Sequence, residues 1–402
     1  MFTLDRDRLH YGAEIVPSQP PEPARRILVA GDLCPQGRPE TLLLTGRTEE
    51  VWGDVATITG AHDLNIVNLE CPLTCSETPI VKVGPHVRSD PRCAAGIRAG
   101  GFHIVTLANN HIMDMGEIGL QDTLSACQAV SLQTVGAGRD LTEATRSWAV
   151  TIKGLKVALL AFAEHEFSIA SDSKAGVWPL DLIDNYHQLA EARKQADFVL
   201  VVLHGGNEGF HLPSPRLIKT CRFFAEAGAG AVICHHSHAP SGMEVMNGVP
   251  IVYGTGNLLF DSLGTRPASW YTGYMVSLEV LNNTVTTVEL IPYVQCLDKV
   301  GVRLLQGKAA TEFLQEILKL STLIQDQTAI TRAWQSFCEA RRSEYLARLV
   351  ACNWLEEQLW ARQLLPQWLI RGRIPNWLGL IRCQAHHEVL SEILQRSVDE
   401  MT

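Results

Sequence analysis

The sequence predicts an α/β fold carried by buried, largely parallel strands and followed by a helical extension. Between about residue 27 and about residue 261, short apolar runs rich in Val, Ile and Leu alternate with helix-like stretches: "ILVAGD", "NIVNLE", "HIVTLANN", "VALLAFA", "DFVLVVLHG", "AVICHH" and "IVYGTGN". These runs are continuously apolar rather than alternating, as expected of strands covered on both faces. Beyond about residue 303 they stop, and Leu, Ala, Glu, Gln and Arg take over at helical spacing.

The elements follow in order. A polar opening carrying "PSQPPEP" reads as an extended lead-in over residues 1–26. Between the strand-like runs lie "GEIGLQDTLSACQAV" and "SPRLIKTCRFFAEAGAG", the second ending at glycines as helices commonly do. Residues 270–295 read as two strands folded about Asn282 and Asn283, a pair suited to the positive φ of a tight turn, expected at an antiparallel margin. An α/β domain is therefore expected over residues 27–300, and a Trp-rich helical extension over residues 301–402, with breaks near Pro366 and Pro375.

Composition narrows the function classes. At 402 residues the chain has room for one large catalytic domain with an appendage. With 46% hydrophobic and 19% charged residues it is neither disordered nor membrane-spanning in composition. A formal charge of -9 argues against general nucleic-acid binding, which needs an excess of Lys and Arg. An anionic substrate would need local basic groups or metal ions. The first 25 residues hold no apolar core of a secretory signal, and no stretch reaches spanning length, so the expected location is the cytoplasm. Eleven scattered cysteines suit a reducing compartment, and Cys71 with Cys75 lacks the second pair a zinc knuckle requires.

The placement of polar residues is more informative. Apolar runs end directly in residues able to ligate a metal: Asp32, Glu70, Asn110 with His111, His204, and His236 with His238. In open α/β sheets ligands gather beyond the carboxyl ends of the strands, where these residues would converge. Any one of these histidines alone would read as a hydrogen-bonded structural residue. Together the carboxylates, amide and imidazoles exceed the needs of one tetrahedral zinc and suit a pair of borderline divalent ions. Two-metal sites of that kind perform hydrolysis or a related transfer.

Seven blocks, "GDLCPQGR", "NLECPLT", "TLANNHIMDMGEIGLQDTL", "GAGRDLTEA", "VVLHGGNE", "HHSHAP" and "IVYGTGNLLFD", occur in the order found in the poly-γ-glutamate capsule-synthesis (CapA-type) family. That family in turn resembles calcineurin-like metallophosphoesterases, and the resemblance covers about residues 27–261. It implies an αββα sandwich of mixed sheets holding two divalent ions, Mn, Fe or Zn. Asp32 and His238 would hold the first ion, Asn110, His204 and His236 the second, and Glu70 would bridge them. His111 would be the general acid and Asp114 its orienting partner. Glu208, Asn257 and Asp261 match further pocket positions. The wider superfamily reads Asp, any residue, His in its first block, whereas this chain has Cys34 two residues after Asp32. Cys71, Cys234 and Ser237 also depart from the family's usual residues.

Other residues stay open between two roles. Lys82, Arg88 and Arg92 follow the Glu70 block on a loop that is either solvated or brought over the site to bind phosphate or carboxylate. His235 is either a pocket residue or a support for its neighbours. Five of the nine tryptophans (Trp334, Trp354, Trp360, Trp368 and Trp377) lie in the extension, interleaved with Leu and Arg. Such helices pack on the catalytic region, self-associate, or lie at a membrane surface. His386 and His387 read as helix-surface residues. The expected function is metal-dependent hydrolysis or transfer on a phosphate ester or an amide-linked, carboxylate-rich substrate, small molecule or polymer. Its expected setting is capsule, cell-surface polymer or specialised-metabolite biosynthesis. The rival expectation is a non-catalytic assembly subunit of a poly-γ-glutamate or polysaccharide synthesis complex.

Overall fold

A computed structural model describes residues 2–5, 8–12, 24–262, 264–349 and 372–399. The chain begins with β1 (Phe2–Asp5), β2 (Arg8–Gly12), β3 (Arg25–Cys34), β4 (Leu64–Leu69), β5 (Ile104–Thr106) and β6 (Gln133–Val135). It continues with β7 (Ala137–Gly138), β8 (Trp148–Ile152), β9 (Leu155–Ala163), β10 (Gly176–Val177), β11 (Phe198–His204), β12 (Ala231–His235), β13 (Met243–Met246) and β14 (Val249–Val252). The last strands are β15 (Asn257–Phe260), β16 (Thr272–Leu281), β17 (Thr284–Gln295) and β18 (Val302–Leu304). One ten-stranded sheet runs β1-β2-β17-β16-β3-β4-β5-β6, with β15 also on β3 and β18 on β17; a six-stranded sheet runs β13-β14-β12-β11-β9-β8. The strands β7 and β10 form a separate ribbon.

The two sheets are mixed. Parallel pairing joins β3, β4, β5, β6 and β15 in the first and β9, β11, β12 and β14 in the second, so both sheets send carboxyl ends to one side. The hairpin β16–β17 turns at Asn282 and Asn283, with φ of 49° and 65°. It does not sit at the margin that its sequence suggested. Strand β16 pairs antiparallel with β3, Val276 against Val29, and the polar lead-in supplies β2, which pairs with β17, Leu9 against Leu290. One buried side chain, Leu9, anchors that strand, too short a pattern to read as a period.

Strand β9 shows why the apolar runs are continuous. Val157, Leu159, Ala161 and Ala163 face the core between the sheets, while Ala158, Leu160 and Phe162 face a second core. Successive side chains on a strand point to opposite faces, so a strand with two cores needs both sets apolar. The helices α1 (Arg38–Leu44), α2 (Thr48–Trp52), α3 (Val55–Gly60), α4 (Cys93–Ala99) and α5 (Gly116–Ala129) pack on the first sheet. After α6 (Leu141–Ala144), the helices α7 (Leu182–Gln195) and α8 (Pro215–Glu226) build the outer core of the second. Asp181 caps α7 by accepting from Ile183 N at 2.9 Å, and Ser214 caps α8 by accepting from Leu217 N at 3.2 Å. Helix α8 ends before Gly228, whose φ of +104° suits glycine alone.

Gly31 sits at the irregularity in β3 just before Asp32, against the backbone of Gly256. A Cβ built there would lie 2.1 Å from the Gly256 carbonyl oxygen, which is backbone and has no rotamer to yield. Gly31→Ala is therefore expected to cost about 2–3 kcal/mol of stability, the range of an overpacked core. Chemical denaturation checks this, and a loss under about 0.5 kcal/mol, the level of an ordinary surface change, would count against the close approach.

The extension comprises α9 (Gly307–Ile324), α10 (Gln327–Leu349), α11 (Ile374–Arg382) and α12 (Gln384–Asp399). Trp334, Cys338, Tyr345, Leu380, Val389, Leu390 and Ile393 bury a core of their own, and Phe210 from the loop after β11 packs against it. Trp354, Trp360, Trp368 and Pro366 lie outside the described residues. Pro375 opens α11, where its missing N–H costs nothing. No described helix is long and apolar enough to cross a membrane.

Candidate metal centre and cavity

Seven chain segments meet where the carboxyl ends of both sheets face each other. Asp32 lies near the end of β3, Glu70 just past β4, and Asn109 to Asp114 between β5 and α5. Glu164 and Glu166 follow β9, His204 ends β11, His235 to His238 end and follow β12, and Asn257 opens β15. Register aligns several of them: His204 stands opposite His235, and Asp32 opposite both Asn68 and Asn257.

Two buried trios, Glu70 with His204 and His236, and Asp32 with Glu70 and His238, each bring their donor atoms within 4.8 Å of one another. Glu70 belongs to both. In the first, His204 Nε2 lies 3.4 Å from Glu70 Oε1, 3.1 Å from His236 Nδ1 and 3.1 Å from Asn110 Oδ1. In the second, His238 Nε2 lies 3.6 Å from Glu70 Oε1, and its Nδ1 3.7 Å from Asp32 Oδ2. Donors about 2.1 Å from a shared ion stand about 3.0–3.4 Å apart, so the first trio with Asn110 already has the spacing of a coordination sphere.

Glu70 supplies the test of fit. It is fully buried, and neither carboxylate oxygen has a hydrogen-bond partner. An isolated buried carboxylate costs several kcal/mol unless a cation answers it. Burial, with the charges of Asp32 and Glu208, pushes the Glu70 carboxyl well above its ordinary range. Burial pushes His204 well below its ordinary value and lowers His236 as well. Neutral imidazoles around an uncompensated carboxylate are what divalent metals bind. Burial alone would raise Asp32, but hydrogen bonding from His235 outweighs it and holds this carboxyl below its ordinary range.

The surrounding shell fixes the rings. Asn68 Nδ2 donates to Asp32 Oδ1 at 2.8 Å and reaches His204 Nδ1 at 3.2 Å, leaving His204 Nε2 toward Glu70. Asn257 Oδ1, 2.8 Å from His238 Nδ1, accepts from that ring and leaves its Nε2 toward Glu70. His235 Nδ1 lies 3.2 Å from Asp32 Oδ1, and the His236 backbone N–H donates to Asp32 Oδ2 at 3.1 Å. The loop is also strained: His236 has φ of 97° and His238 of 51°, conformations costing of order 1–3 kcal/mol outside glycine. These conformations place the two side chains on either side of Glu70, His236 in one trio and His238 in the other.

His111 lines the edge of this cluster. Its Nδ1 is 2.7 Å from Asp114 Oδ2 and 3.1 Å from Lys82 Nζ, and Lys82 also forms an ion pair with Asp114. Asp114 accepts from Val87 N at 2.8 Å, which ties the Lys82 loop down. With Nδ1 occupied, Nε2 is the nitrogen left to the cavity. Burial lowers His111, opposed by the Asp114 hydrogen bond.

A cavity of about 340 Å³ opens onto the site, lined by Lys82, Asn110, His111, Glu166, Glu208 and His236 on the side of the two sheets. Arg341, Tyr345 and His386 of the extension line the other side. The structure thus brings together Asp32, Glu70, Asn110, His204, His236 and His238, with His111, Asp114, Lys82 and Glu208 beside them and His235 and Asn257 behind. It does not bring in Arg88, whose guanidinium donates to the carbonyls of Cys75 and Ser76 and pairs with Glu77. Nor does it bring in Asp261, held by both arms of Arg38 at 2.8 and 2.7 Å. Cys34 is buried beside Cys71; burial and the Cys71 contact push its thiol up, and it belongs to neither trio. His386 is half-buried, with Nδ1 2.7 Å from the Tyr345 hydroxyl, rather than on an outer surface.

Sequence reasoning missed Asn68, Glu166 and the lining from the extension. Glu166 had a signal, since it lies three residues beyond the end of β9, just as other site residues follow their strands. Burial and the nearby charge of Glu208 push it up to about 8.

The family described as "Bacterial capsule synthesis protein PGA_cap" matches residues 26–262. The chain is 33% identical over 184 residues to the PGA biosynthesis protein CapA of Bacillus subtilis (strain 168), covering 45% of this chain and 48% of that protein. It therefore spans about half the length of that relative. A Mycobacterium tuberculosis (strain CDC 1551 / Oshkosh) protein named "Probable polyglutamine synthesis accessory protein" is 29% identical over 272 residues, 60% of this chain and 71% of its own. Among solved structures, the 5′-nucleotidase precursor from Thermus thermophilus aligns with 76% of this chain and 60% of its own at TM-score 0.43 and 12% identity.

Proposed function

This chain belongs to the family described as bacterial capsule synthesis protein PGA_cap, and on that premise we propose that it is a dinuclear metal-dependent hydrolase or transferase. Its substrate is a phosphate ester or an amide-linked, carboxylate-rich compound of capsule, cell-surface polymer or specialised-metabolite biosynthesis. The observation that carries this reading is Glu70, a buried carboxylate without a hydrogen bond, shared by two ligand trios. Asp32, Glu70 and His238 would hold one divalent ion, Mn, Fe or Zn. Glu70, His204, His236 and Asn110 would hold the other.

When bound, such a pair supplies Lewis-acid charge stabilisation and a nucleophile at neutral pH. The chain's own groups do the rest. Asn68, His235 and Asn257 keep the ligand rings and Asp32 in place, so little reorganisation is needed as the reaction proceeds. Asp114 fixes the His111 tautomer, so Nε2 faces the leaving group. A leaving oxygen or nitrogen would take its proton there, and the charge of a bound anion would offset the burial that lowers His111.

The experiment is turnover of a chromogenic phosphomonoester, a phosphodiester and a γ-glutamyl anilide by the purified full chain with Mn²⁺. Cleavage of at least one is expected, abolished by EDTA and restored by Mn²⁺. The accessory role in the name of the mycobacterial relative favours a second reading, a non-catalytic assembly subunit. Metal-loaded protein inert toward all three substrates would support that reading against the first.

A further inference from the structure

The cavity above the metal centre is closed by helices that lie outside the matched residues 26–262. Those helices are tied down by polar contacts as well as by their core. Glu388 of α12 accepts from Ser214 Oγ at 2.9 and 2.8 Å, from Asn207 Nδ2 at 3.0 Å and from Arg216 at 3.1 Å. Arg216 donates at 2.6 Å to Glu164, at the end of β9 beside the centre. Gln384 accepts from the backbone of His165 at 2.6 Å. The roof is therefore a fixed wall of the cavity.

One cation of that wall stands out. Arg341 of α10 lines the cavity, half-buried, with its guanidinium 3.7 Å over the Phe337 ring. Phe337 stacks on Trp334 at 5.6 Å and packs against Phe210 at 4.4 Å, so the platform beneath the guanidinium is rigid. Among the described residues no carboxylate pairs with Arg341. Lys82, the cation on the opposite wall, is by contrast already committed to Asp114. A planar guanidinium with which no carboxylate among the described residues pairs, facing a cavity of small-molecule size also lined by Glu344, is suited to bidentate binding of an oxyanion.

We propose that Arg341 is the anion subsite of the cavity. It binds a carboxylate or phosphate that takes no part in the reaction, while the reacting group lies at the metal centre across the cavity. The proposal rests on the metal-site reading and adds a substrate class: a small molecule, or a chain end, carrying a second anionic group several bonds from the reacting one. Arg341 is in this account a specificity residue, not a catalytic one.

Calorimetry on the full chain, with and without Mn²⁺, tests it with two probes: inorganic phosphate, with one anionic head, and 4-phosphonobutyrate, with two. Arg341→Gln is expected to weaken 4-phosphonobutyrate about 10- to 100-fold, the worth of a charge-assisted pair, and to leave phosphate within about 2-fold. Arg341→Lys, which keeps the charge but loses the fork, should fall between, and an unchanged thermal midpoint in both variants excludes a folding defect. Equal effects on both probes, no effect on either, or no binding of 4-phosphonobutyrate by the unaltered chain would each overturn the subsite. If Mn²⁺ strengthens neither probe but Arg341→Gln still loses 4-phosphonobutyrate, the subsite stands and the metal-site reading fails.

Discussion

Glu70→Gln is expected to release both metal ions, because one carboxylate is common to the two trios. Each ion would lose an anionic donor in a buried setting. Removing one partner of a buried charge pair costs about 3–5 kcal/mol, which corresponds to a loss of about 10²- to 10³-fold or more in affinity at each site. The same substitution has the opposite consequence without metal. There it replaces a buried carboxylate that has no hydrogen bond by a neutral group of nearly the same shape. With EDTA, therefore, the Glu70→Gln protein should melt at least as high as the unaltered one; with Mn²⁺ only the unaltered protein should gain. A Glu70→Gln protein that retains two equivalents of metal would show that the carboxylate is not the bridge.

His111→Ala is expected to lower turnover by about 10²- to 10⁴-fold, the usual contribution of a positioned acid or base, while metal content stays near that of the unaltered chain. The split follows from the geometry. The ring bonds to Asp114 and Lys82, not to either trio, so its removal leaves both ligand sets intact. Asp114→Asn should reproduce part of the loss, because an amide at that position no longer enforces the tautomer that leaves Nε2 to the cavity. Turnover that survives His111→Ala would remove the residue from the reaction. Loss of metal in the same protein would make it part of the metal centre instead.

What the sequence made legible, and what it hid, has a physical pattern. The strands were readable because burial on both faces writes a continuous apolar run, as in β9 and β11. Asp32, Glu70, His204 and His236 stood out because each ends or directly follows such a run, and parallel strands deliver their carboxyl ends to one side. That rule says nothing about which way a loop turns. Lys82 and Arg88 sit six residues apart on the same loop, yet Lys82 turns inward to Asp114 and Arg88 outward to Glu77. Asp261 ends a run as plainly as Asp32 does, but Arg38, far away in sequence, claims both its oxygens. Asn68 was hidden because it lies within an apolar strand rather than at its end. Arg341, Tyr345 and His386 were beyond reach altogether, since only the docking of α10 and α12 brings them over the cavity.

The short β2 and the inward position of the β16–β17 hairpin have the same origin. Pairing partners distant in the chain leave no local mark, and a single apolar residue such as Leu9 cannot announce a strand. The strained His236 and His238 likewise show in the fold and not in the sequence. Their positive φ is enforced by contacts to Asp32, Asn257 and the surrounding loop.

Anomalous diffraction from crystals of the full chain grown with Mn²⁺ tests the central claim most directly. Two peaks are predicted on either side of the Glu70 carboxylate, one beside Asp32 and His238, the other beside His204, His236 and Asn110. A single peak, or peaks that do not touch Glu70, would contradict a dinuclear centre built on that residue.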